Sequence, residues 1–270
     1  MKTAIIIPCY NEEKRIDTKA FEAFIQSTNS YHLCFVNDGS KDQTLEVLKN
    51  IQQSNPDKVT VIDMKCNSGK AAAVRAGARY LYSKTNVRHI GFMDADLSTD
   101  FEDFTALDHT LKTNAQLKMV FGSRAKAEAG IEKDPFRAFF SKVIKFCVFL
   151  ILGLPIQDTQ CGAKVFNREL VPVIYGNRFL SKWLFDVEMF IRLKHFLGGK
   201  QAVMCAIYEQ PLQRWVHVED SKLGIKDALE IPLRLLSIWF NYSIWAFTNT
   251  LVTAEEQEVL TEVYTFPLAA

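Results

Sequence analysis

Between His89 and Thr99 the chain reads HIGFMDADLST, an apolar run that ends in two carboxylates spaced two residues apart. Successive side chains of an extended strand alternate between its faces, so Asp94 and Asp96 are predicted to point the same way. They would do so at the carboxyl end of a strand, where open α/β sheets bind their ligands. Mg²⁺ or Mn²⁺, held by both carboxylates and a substrate's phosphates, would offset their repulsion. Alternatively, one Asp caps the helix predicted from about Thr99 and the other is a turn residue.

Strand-like and helix-like segments alternate on both sides of this run. Strands are predicted at Ala4–Pro8, His32–Asn37, Val59–Met64, His89–Met93 and Met119–Gly122. Helices are predicted at Glu12–Ser27, Asp42–Gln53, Gly69–Tyr82 and Thr99–Lys112. This alternation favours an α/β fold in which helices cover both faces of a mostly parallel sheet.

The second half of the chain contains two long apolar segments. Pro135–Leu154 is predicted to be a helix with a basic side and an aromatic side, and its apolar end is shorter than the roughly 20 residues that span a bilayer. We expect it to lie on a membrane surface, with a buried core helix as the alternative. Ile231–Val252 is long enough to span, but its polar residues would be costly in hydrocarbon, so it is predicted to be a second surface helix. These features divide the chain into a catalytic domain, residues 1–225 with the helix at about 135–154, and an amphipathic helix with an acidic tail, residues 226–270.

The overall composition excludes some partners and compartments. The 270 residues carry 32 basic and 31 acidic side chains, a net charge of +1, which gives no reason to expect nucleic acid as a partner. The six cysteines show no CxxC spacing, which is typical of reduced thiols in a cytosolic protein. No signal-peptide pattern opens the sequence. We therefore expect a cytoplasmic protein, bound peripherally to the cytoplasmic face of a membrane.

Polar clusters follow three other predicted strands or open a helix at the same edge of the sheet. They are Pro8–Glu12, Val36–Asp42 and Asn67–Lys70. Asp38 could accept a hydrogen bond from a base N–H, and Lys70 at a helix start could face an anion. Each cluster taken alone is more often a turn or a helix cap.

Five short motifs occur in order along the first half of the chain. They are Ile5–Glu12 (IIIPCYNE), Val36–Ser40 (VNDGS) with Asp42 and Thr44, Asn67–Lys70 (NSGK), Asp94–Asp96 (DAD) and Gly122–Arg124 (GSR). Together they resemble glycosyltransferase family 2, whose members are inverting enzymes with a GT-A fold. Asp158–Phe166, Trp183–Glu188 and Trp215–Lys222 resemble the subgroup that glycosylates polyprenyl or dolichyl phosphate, above all its β-glucosyltransferases and next its mannose synthases.

The resemblance implies a role for each matching residue. Pro8, Tyr10, Glu12 and Asp38 would line a nucleoside pocket, with Lys70 and Ala95 near the nucleotide and Asp94 and Asp96 as metal ligands. The predicted catalytic set is Asp96, Asp158, Arg124, Arg214, Lys222 and Glu188. Arg124 and Arg214 would supply positive charge, Lys222 would lie on a closing loop, and Asp158 or Glu188 would orient the sugar or support Arg214. Asp186 and Glu188 can equally be an ordinary carboxylate pair in the first turn of a helix.

The expected reaction is metal-dependent transfer of a hexose from a nucleotide sugar to a polyprenyl phosphate with inversion. UDP-glucose is the expected donor on resemblance alone, and GDP-mannose is the alternative. Another alternative is a related transferase that acts on a sugar hydroxyl, and a third is a nucleotide-sugar-binding protein without turnover. Because clear transmembrane helices of the subgroup are missing or ambiguous in this sequence, attachment could also involve a membrane-protein partner.

Overall fold

The computed structural model describes residues 2–83, 87–125, 135–214 and 225–249, with the backbone alone at 135–142, 225–229 and 244–249. The strands are β1 (Lys2–Cys9), β2 (Tyr31–Asn37), β3 (Val59–Asp63), β4 (Val87–Phe92), β5 (Met119–Ser123), β6 (Lys164–Asn167) and β7 (Ile207–Pro211). The helices are α1 (Thr18–Ser27), α2 (Thr44–Ser54), α3 (Lys70–Tyr82), α4 (Phe101–Thr113), α5 (Pro135–Leu152), α6 (Val171–Tyr175), α7 (Phe185–Phe196), α8 (Lys200–Ala206) and α9 (Ile225–Asn249).

The described strands form one mixed sheet in the order β3-β2-β1-β4-β6-β5-β7. Only β6 runs against its neighbours among these strands, since it pairs antiparallel with both β4 and β5 while the other pairings are parallel. The predicted α/β fold with a mostly parallel sheet is therefore confirmed.

Two apolar cores lie on opposite faces of this sheet because successive strand residues alternate between the faces. Ile5 and Ile7 of β1 pack with residues of α1, α2 and α4. Ala4 and Ile6 belong to the other core, with residues of α3, α5, α6, α7 and α9. Along the sheet, the strands run β3, β2, β1 and then β4, so the strand order changes direction at β1. In open α/β sheets such a change of direction leaves a crevice at the carboxyl ends of the two strands concerned, which are β1 and β4 in this sheet.

The five predicted strands and four predicted helices of the first half are all present, with shifted ends. The largest shift is at α1, which begins at Thr18 and not at Glu12, because the Asp17 side chain accepts a hydrogen bond from the Ala20 N–H and caps the helix there. Strands β6 and β7 were not predicted from the pattern, since they are four and five residues long.

The two long segments of the second half are helical. Helix α5 ends at Leu152 and α9 begins at Ile225, six residues before the predicted start, while residues 250–252 lie outside the described residues. Leu235, Ile238 and Tyr242 of α9 are buried in the core that contains α7. No helix of the described part of the chain is both long enough and apolar enough to cross a bilayer. The division into residues 1–225 and 226–270 stays a prediction.

Candidate active site

A cavity of about 460 Å³ lies in the crevice at the carboxyl ends of β1, β2 and β4. Its walls bring together residues that are distant in sequence: Pro8, Cys9, Tyr10, Glu12, Arg15, Asp38, Asn67, Gly69, Lys70, Ala73, Asp94, Asp96, Lys182 and Trp183. The residues predicted to bind the nucleoside and the metal therefore share one cavity. Ala95 is the exception: it lies between Asp94 and Asp96 in the chain but is almost fully buried and does not line the cavity.

Asp38 organises one side of the cavity. Its Oδ1 accepts a hydrogen bond of 2.8 Å from the Ser68 N–H, and its Oδ2 accepts one of 2.7 Å from the Gly69 N–H. Burial raises the pKa of the Asp38 carboxyl, and these two hydrogen bonds offset part of that rise. Gly39 has φ +63°, and a Cβ there would lie 2.5 Å from the Cys66 carbonyl carbon, so the turn accepts only glycine. Asp38 thus holds the start of α3 in place and keeps further lone pairs for a donor in the cavity.

Asp94 forms an ion pair with Lys70, the first residue of α3. Burial alone would lower the pKa of the Lys70 ammonium, but the neighbouring carboxylates, first Asp94 and then Asp186, raise it above its ordinary value. The neighbouring carboxylates therefore favour the charged form of Lys70 in this cavity. Behind Asp94 lies Gly162, where an added Cβ would come within 2.1 Å of Asp94 Oδ2. The missing side chain of Gly162 makes room for the carboxylate.

Asp96 lies on the strained turn that follows. Its Oδ1 accepts a hydrogen bond of 3.0 Å from the Ser98 N–H, and its Oδ2 lies 3.7 Å from the Arg15 guanidinium. Leu97 has φ +52°, a left-handed conformation that costs energy for a branched side chain. Arg15 also lies 3.5 Å from Glu12. The alternative that one Asp of the pair caps the helix is wrong, because Asp100 caps α4. The turn alternative is right in part, because Asp96 accepts the Ser98 N–H, but the Asp94 and Asp96 side chains also line the cavity.

The two carboxylates fit a divalent cation that a ligand helps to hold. Asp94 and Asp96 are each about a quarter to a third exposed and face the same cavity. No cluster of three or more His, Cys, Asp or Glu side chains suited to a metal occurs among the residues the structure describes. A cation here would complete its coordination with phosphate oxygens and water, which is the way Mg²⁺ is held in nucleotide sites.

Replacing Gly162 with Ala is expected to disable the site while the chain still folds. The new Cβ would overlap the Asp94 carboxylate, which must then turn away from the cavity. We expect Mn²⁺-dependent nucleotide binding to weaken by at least about tenfold, the effect of losing about 1.4 kcal/mol. Calorimetric titration of the variant with UDP and Mn²⁺ measures this. Binding equal to that of the wild type would show that Asp94 does not need its present position.

Asp158 and Arg124 pair with each other outside the cavity wall. Arg124 donates from Nε to Oδ2 at 2.7 Å, from Nη2 to Oδ1 at 2.8 Å and from its backbone N–H to Oδ2 at 3.0 Å. The carboxylate also accepts from the Gln160 N–H at 3.2 Å, while the Asp158 N–H donates to Glu209 at 2.8 Å. The pair joins the end of β5 to the segment that carries Gly162.

Stability near this pair should depend on pH. Burial acts to raise the pKa of Asp158, but the hydrogen bonds and charge of Arg124 outweigh it and hold the pKa below the ordinary value. A carboxyl whose pKa is lower in the folded than in the unfolded protein stabilises the fold. This stabilisation is complete at pH values above the pKa in the unfolded chain, about 3.9, and it is lost as the pH falls through the lower pKa of the folded protein. Asp158→Asn should therefore reduce the free energy of unfolding at pH 7 by about 2 kcal/mol, and the difference from the wild type should shrink below about pH 4.

Urea unfolding of wild type and variant between pH 3 and pH 7 measures that difference. Asp57→Asn, at an exposed carboxylate, is the matched control and should change stability little at any pH. A constant difference across the pH range would contradict the assignment to the Asp158 charge.

Asp186 and Glu188 lie in the first turn of α7, as predicted by the alternative that they are an ordinary carboxylate pair of a helix start. Both side chains are buried. Glu188 does not reach the cavity: it accepts hydrogen bonds from the backbone of Leu180 and Ser181, at 3.0 and 2.9 Å. Asp186 lies 2.6 Å from the fully buried Lys164 ammonium. Burial raises the pKa of Asp186, against the opposing charges of Lys164 and Lys70.

The remaining predicted site residues are not brought to the cavity by the described part of the chain. The Arg214 side chain is exposed, and its backbone N–H donates to Asp103 at 3.1 Å. Lys222 and the motif Trp215–Lys222 lie outside the described residues. The roles assigned to Arg214 and Lys222 stay predictions.

Sequence reasoning missed four cavity residues: Arg15, Ala73, Lys182 and Trp183. Arg15 follows the Pro8–Glu12 cluster by three residues, on a turn that had been predicted as helix. Trp183 was noted only as part of a motif, and Lys182 precedes it. Arg15 lies beside Asp96 and Lys182 lies against Gly69, and such contacts between distant segments are revealed by no local pattern.

Comparison with known proteins identifies relatives across nearly the whole chain. The model of "Glycosyl transferase family 2" matches residues 4–174. The dolichyl-phosphate β-glucosyltransferase of Mus musculus is 33% identical over 257 residues, which cover 87% of this chain and 76% of the relative. The protein of the same name from Homo sapiens is 32% identical with the same coverage, and one from Trichomonas vaginalis is 31% identical over 90% of this chain and 73% of its own length.

Solved structures share the fold at low sequence identity. Glucosyl-3-phosphoglycerate synthase from Mycobacterium tuberculosis, in complex with Mn²⁺, UDP-glucose and phosphoglyceric acid, superposes with a TM-score of 0.64 at 16% identity, covering 89% of this chain and 79% of that one. The same enzyme with Mg²⁺ and UDP gives a TM-score of 0.60 at 18% identity, covering 88% and 79%. This likeness confirms the predicted GT-A fold.

The family match covers more than half of the chain, and the curated relatives extend it beyond α7 at about 30% identity. Four of the five motifs predicted to resemble this family contribute residues to the cavity, namely Ile5–Glu12, Val36–Ser40, Asn67–Lys70 and Asp94–Asp96. The chain is a glycosyltransferase and belongs to glycosyltransferase family 2.

Proposed function

We propose that this enzyme transfers glucose from UDP-glucose to a dolichyl or other polyprenyl phosphate, with inversion at the anomeric carbon. The observation that carries the proposal is the single cavity in which Asp38, Lys70, Asp94 and Asp96 meet. Relatives named dolichyl-phosphate β-glucosyltransferase, aligned over 87% or more of the chain, support the choice of donor and acceptor.

The cavity offers different chemistry at its two sides. Pro8, Tyr10 and Asp38 form a wall at the ends of β1 and β2 that suits a nucleoside, with Asp38 as acceptor for a base N–H. Lys70 and Arg15 lie beside the paired carboxylates and would face the diphosphate. Cations of this kind stabilise the charge that grows on the leaving group as the glycosidic bond breaks.

Asp94 and Asp96 would hold Mg²⁺ or Mn²⁺ at the diphosphate. When bound, such a cation acts as a Lewis acid that withdraws charge from the departing UDP. The ion pair between Lys70 and Asp94 neutralises the carboxylate before the ligands arrive. The same ammonium would then be free to donate to a phosphate oxygen, so the positive charge stays in the cavity throughout.

The acceptor determines whether a general base is needed. A phosphate monoester has a second pKa near 6 and is largely dianionic at pH 7, so its oxygen can attack without prior deprotonation. The attacking oxygen forms a bond to the anomeric carbon while the bond to the diphosphate oxygen breaks, and that electron pair leaves with UDP. The protein must therefore align the two reactants and exclude water, which proximity effects reward strongly.

An exposed apolar surface would bring the enzyme to its lipid acceptor. Helices α5 and α9 pack against each other and expose the apolar side chains Phe146, Phe149, Leu150, Leu233, Leu236, Trp239 and Phe240. We call this set the α5–α9 face. Exposed apolar area of this extent is unusual on a free surface and suits a helix pair that lies in the lipid interface. We propose that the enzyme binds peripherally to the cytoplasmic face of a membrane through it.

A transfer assay with paired donors and acceptors tests the function. Radiolabelled UDP-glucose and GDP-mannose are offered separately with Mn²⁺ in detergent, each with and without dolichyl phosphate. Label should enter the organic phase only from UDP-glucose and only when the lipid is present. Transfer from GDP-mannose would overturn the donor assignment, and transfer to an added sugar instead of the lipid would overturn the acceptor assignment.

A further inference from the structure

The cavity residues Lys182 and Trp183 belong to a segment, residues 177–184, that is fixed from behind by buried side chains. The Lys182 side chain lies against Gly69, where an added Cβ would come within 3.1 Å of its Cβ, Cγ and Cδ. The backbone N–H groups of Trp183 and Leu184 donate to Ser181 Oγ at 3.3 and 2.9 Å. The position of this wall therefore follows the position of Ser181.

Glu188 of α7 determines where Ser181 lies. It is fully buried, and its two carboxylate oxygens accept the N–H groups of Leu180 and Ser181. The other end of the segment is held by Arg192, which donates to the carbonyl oxygens of Asn177 at 3.0 Å and Arg178 at 2.8 Å. Two charged side chains on one helix thus hold both ends of the cavity wall.

A third side chain joins this pair from α9. The Tyr242 hydroxyl donates to Glu188 Oε2 at 2.8 Å and accepts from Arg192 Nε at 2.7 Å. Arg192 Nη2 lies 3.7 Å from the same Glu188 oxygen. The hydroxyl therefore bridges the two charges and fixes the geometry of both, since hydrogen bonds to buried ionised groups are short and strong.

We infer that Tyr242 is a positioning residue of the nucleotide cavity, acting through Glu188 and Arg192 on Lys182 and Trp183. This assigns Glu188 a supporting role in place of the direct one expected from the sequence. It also links the cavity to α9. Tyr242 lies on the buried side of this helix with Leu235 and Ile238, and the exposed side of the same helix belongs to the α5–α9 face. The inference rests on the proposed function only in taking the ligand of the cavity to be a nucleoside diphosphate.

Tyr242→Phe tests the inference by removing one oxygen atom. Tyr175→Phe is the matched control: Tyr175 is fully buried and packs against Phe179, and within the described part of the chain its hydroxyl bonds to Met189 Sδ alone, at 3.6 Å. We expect Tyr242→Phe to speed amide hydrogen exchange at Leu180 and Ser181 by about tenfold and to weaken UDP binding in the presence of Mn²⁺ by a similar factor. The control should leave both unchanged.

Steady-state kinetics distinguish a displaced cavity wall from a general loss of stability. The KM for the nucleotide sugar should rise in Tyr242→Phe by more than kcat falls, because Lys182 and Trp183 line the cavity proposed to bind the donor. Unchanged exchange and unchanged UDP binding in Tyr242→Phe, or equal changes in Tyr175→Phe, would overturn the inference. If the wild type itself fails to bind UDP, the proposed function fails, and the exchange measurement still decides whether Tyr242 holds the wall.

Discussion

Asp96→Asn should reduce glycosyl transfer by about 10³-fold or more, since it removes one of the two carboxylates that would hold the metal. The substitution keeps the size of the side chain and an oxygen that can accept the Ser98 N–H in the turn after β4. Asn is neutral, so a cation would keep only the Asp94 carboxylate as a charged ligand, and the charge on departing UDP would be less well stabilised. The loss should appear in turnover and in metal-dependent UDP binding, with little change in the unfolding temperature.

Rates of transfer and calorimetric UDP binding with and without Mn²⁺ measure the effect. Asp17→Asn is the matched control, because the same change at the cap of α1 replaces one good capping residue by another outside the cavity. Full activity of Asp96→Asn, or full activity of the wild type in excess chelator, would contradict the metal assignment.

The second large effect concerns the α5–α9 face. Replacing Leu233, Leu236 and Phe240 with Ser should weaken binding to lipid vesicles by about 10³-fold, if each side chain contributes about 1.5 kcal/mol on entering the interface. All three side chains are more than half exposed, so the substitutions cost the fold little. UDP binding should stay normal, while transfer to lipid acceptor in vesicles falls with binding.

Flotation of the protein with purified vesicles measures this binding. A control with Ser at Phe196, Met204 and Tyr208 removes three exposed apolar side chains from α7, α8 and β7, outside the α5–α9 face. The control should bind vesicles as the wild type does. Vesicle binding that survives in the first variant would contradict the proposed surface, and wild-type protein that binds only membranes containing other proteins would point to a membrane-protein partner.

The sequence was sufficient to predict the half of the site that depends on strand ends. Asp38 directly follows β2, and Asp94 follows the last residue of β4 by two positions. Parallel strands bring their carboxyl ends to one edge of the sheet. Lys70 was predicted because it opens a helix beside a glycine. These placements depend on local pattern and on one general property of α/β sheets, so they needed no knowledge of distant contacts.

The other half of the site depends on contacts between distant segments. Glu188 was predicted near the chemistry and lies behind it, because its partner Tyr242 is 54 residues away on a helix whose register the sequence does not determine. Gly162 was quoted only within a motif, although it makes the space that Asp94 occupies. Strand β6, which carries the buried Lys164, has four residues and no distinctive alternation.

The most direct measurement is the location of manganese in crystals grown with UDP and Mn²⁺, from the anomalous scattering of the metal. Asp94 and Asp96 should be the protein ligands of the ion beside the diphosphate, with Lys70 near a phosphate oxygen. A nucleotide bound elsewhere, or a manganese ion away from both carboxylates, would contradict the central claim that this cavity is the donor site.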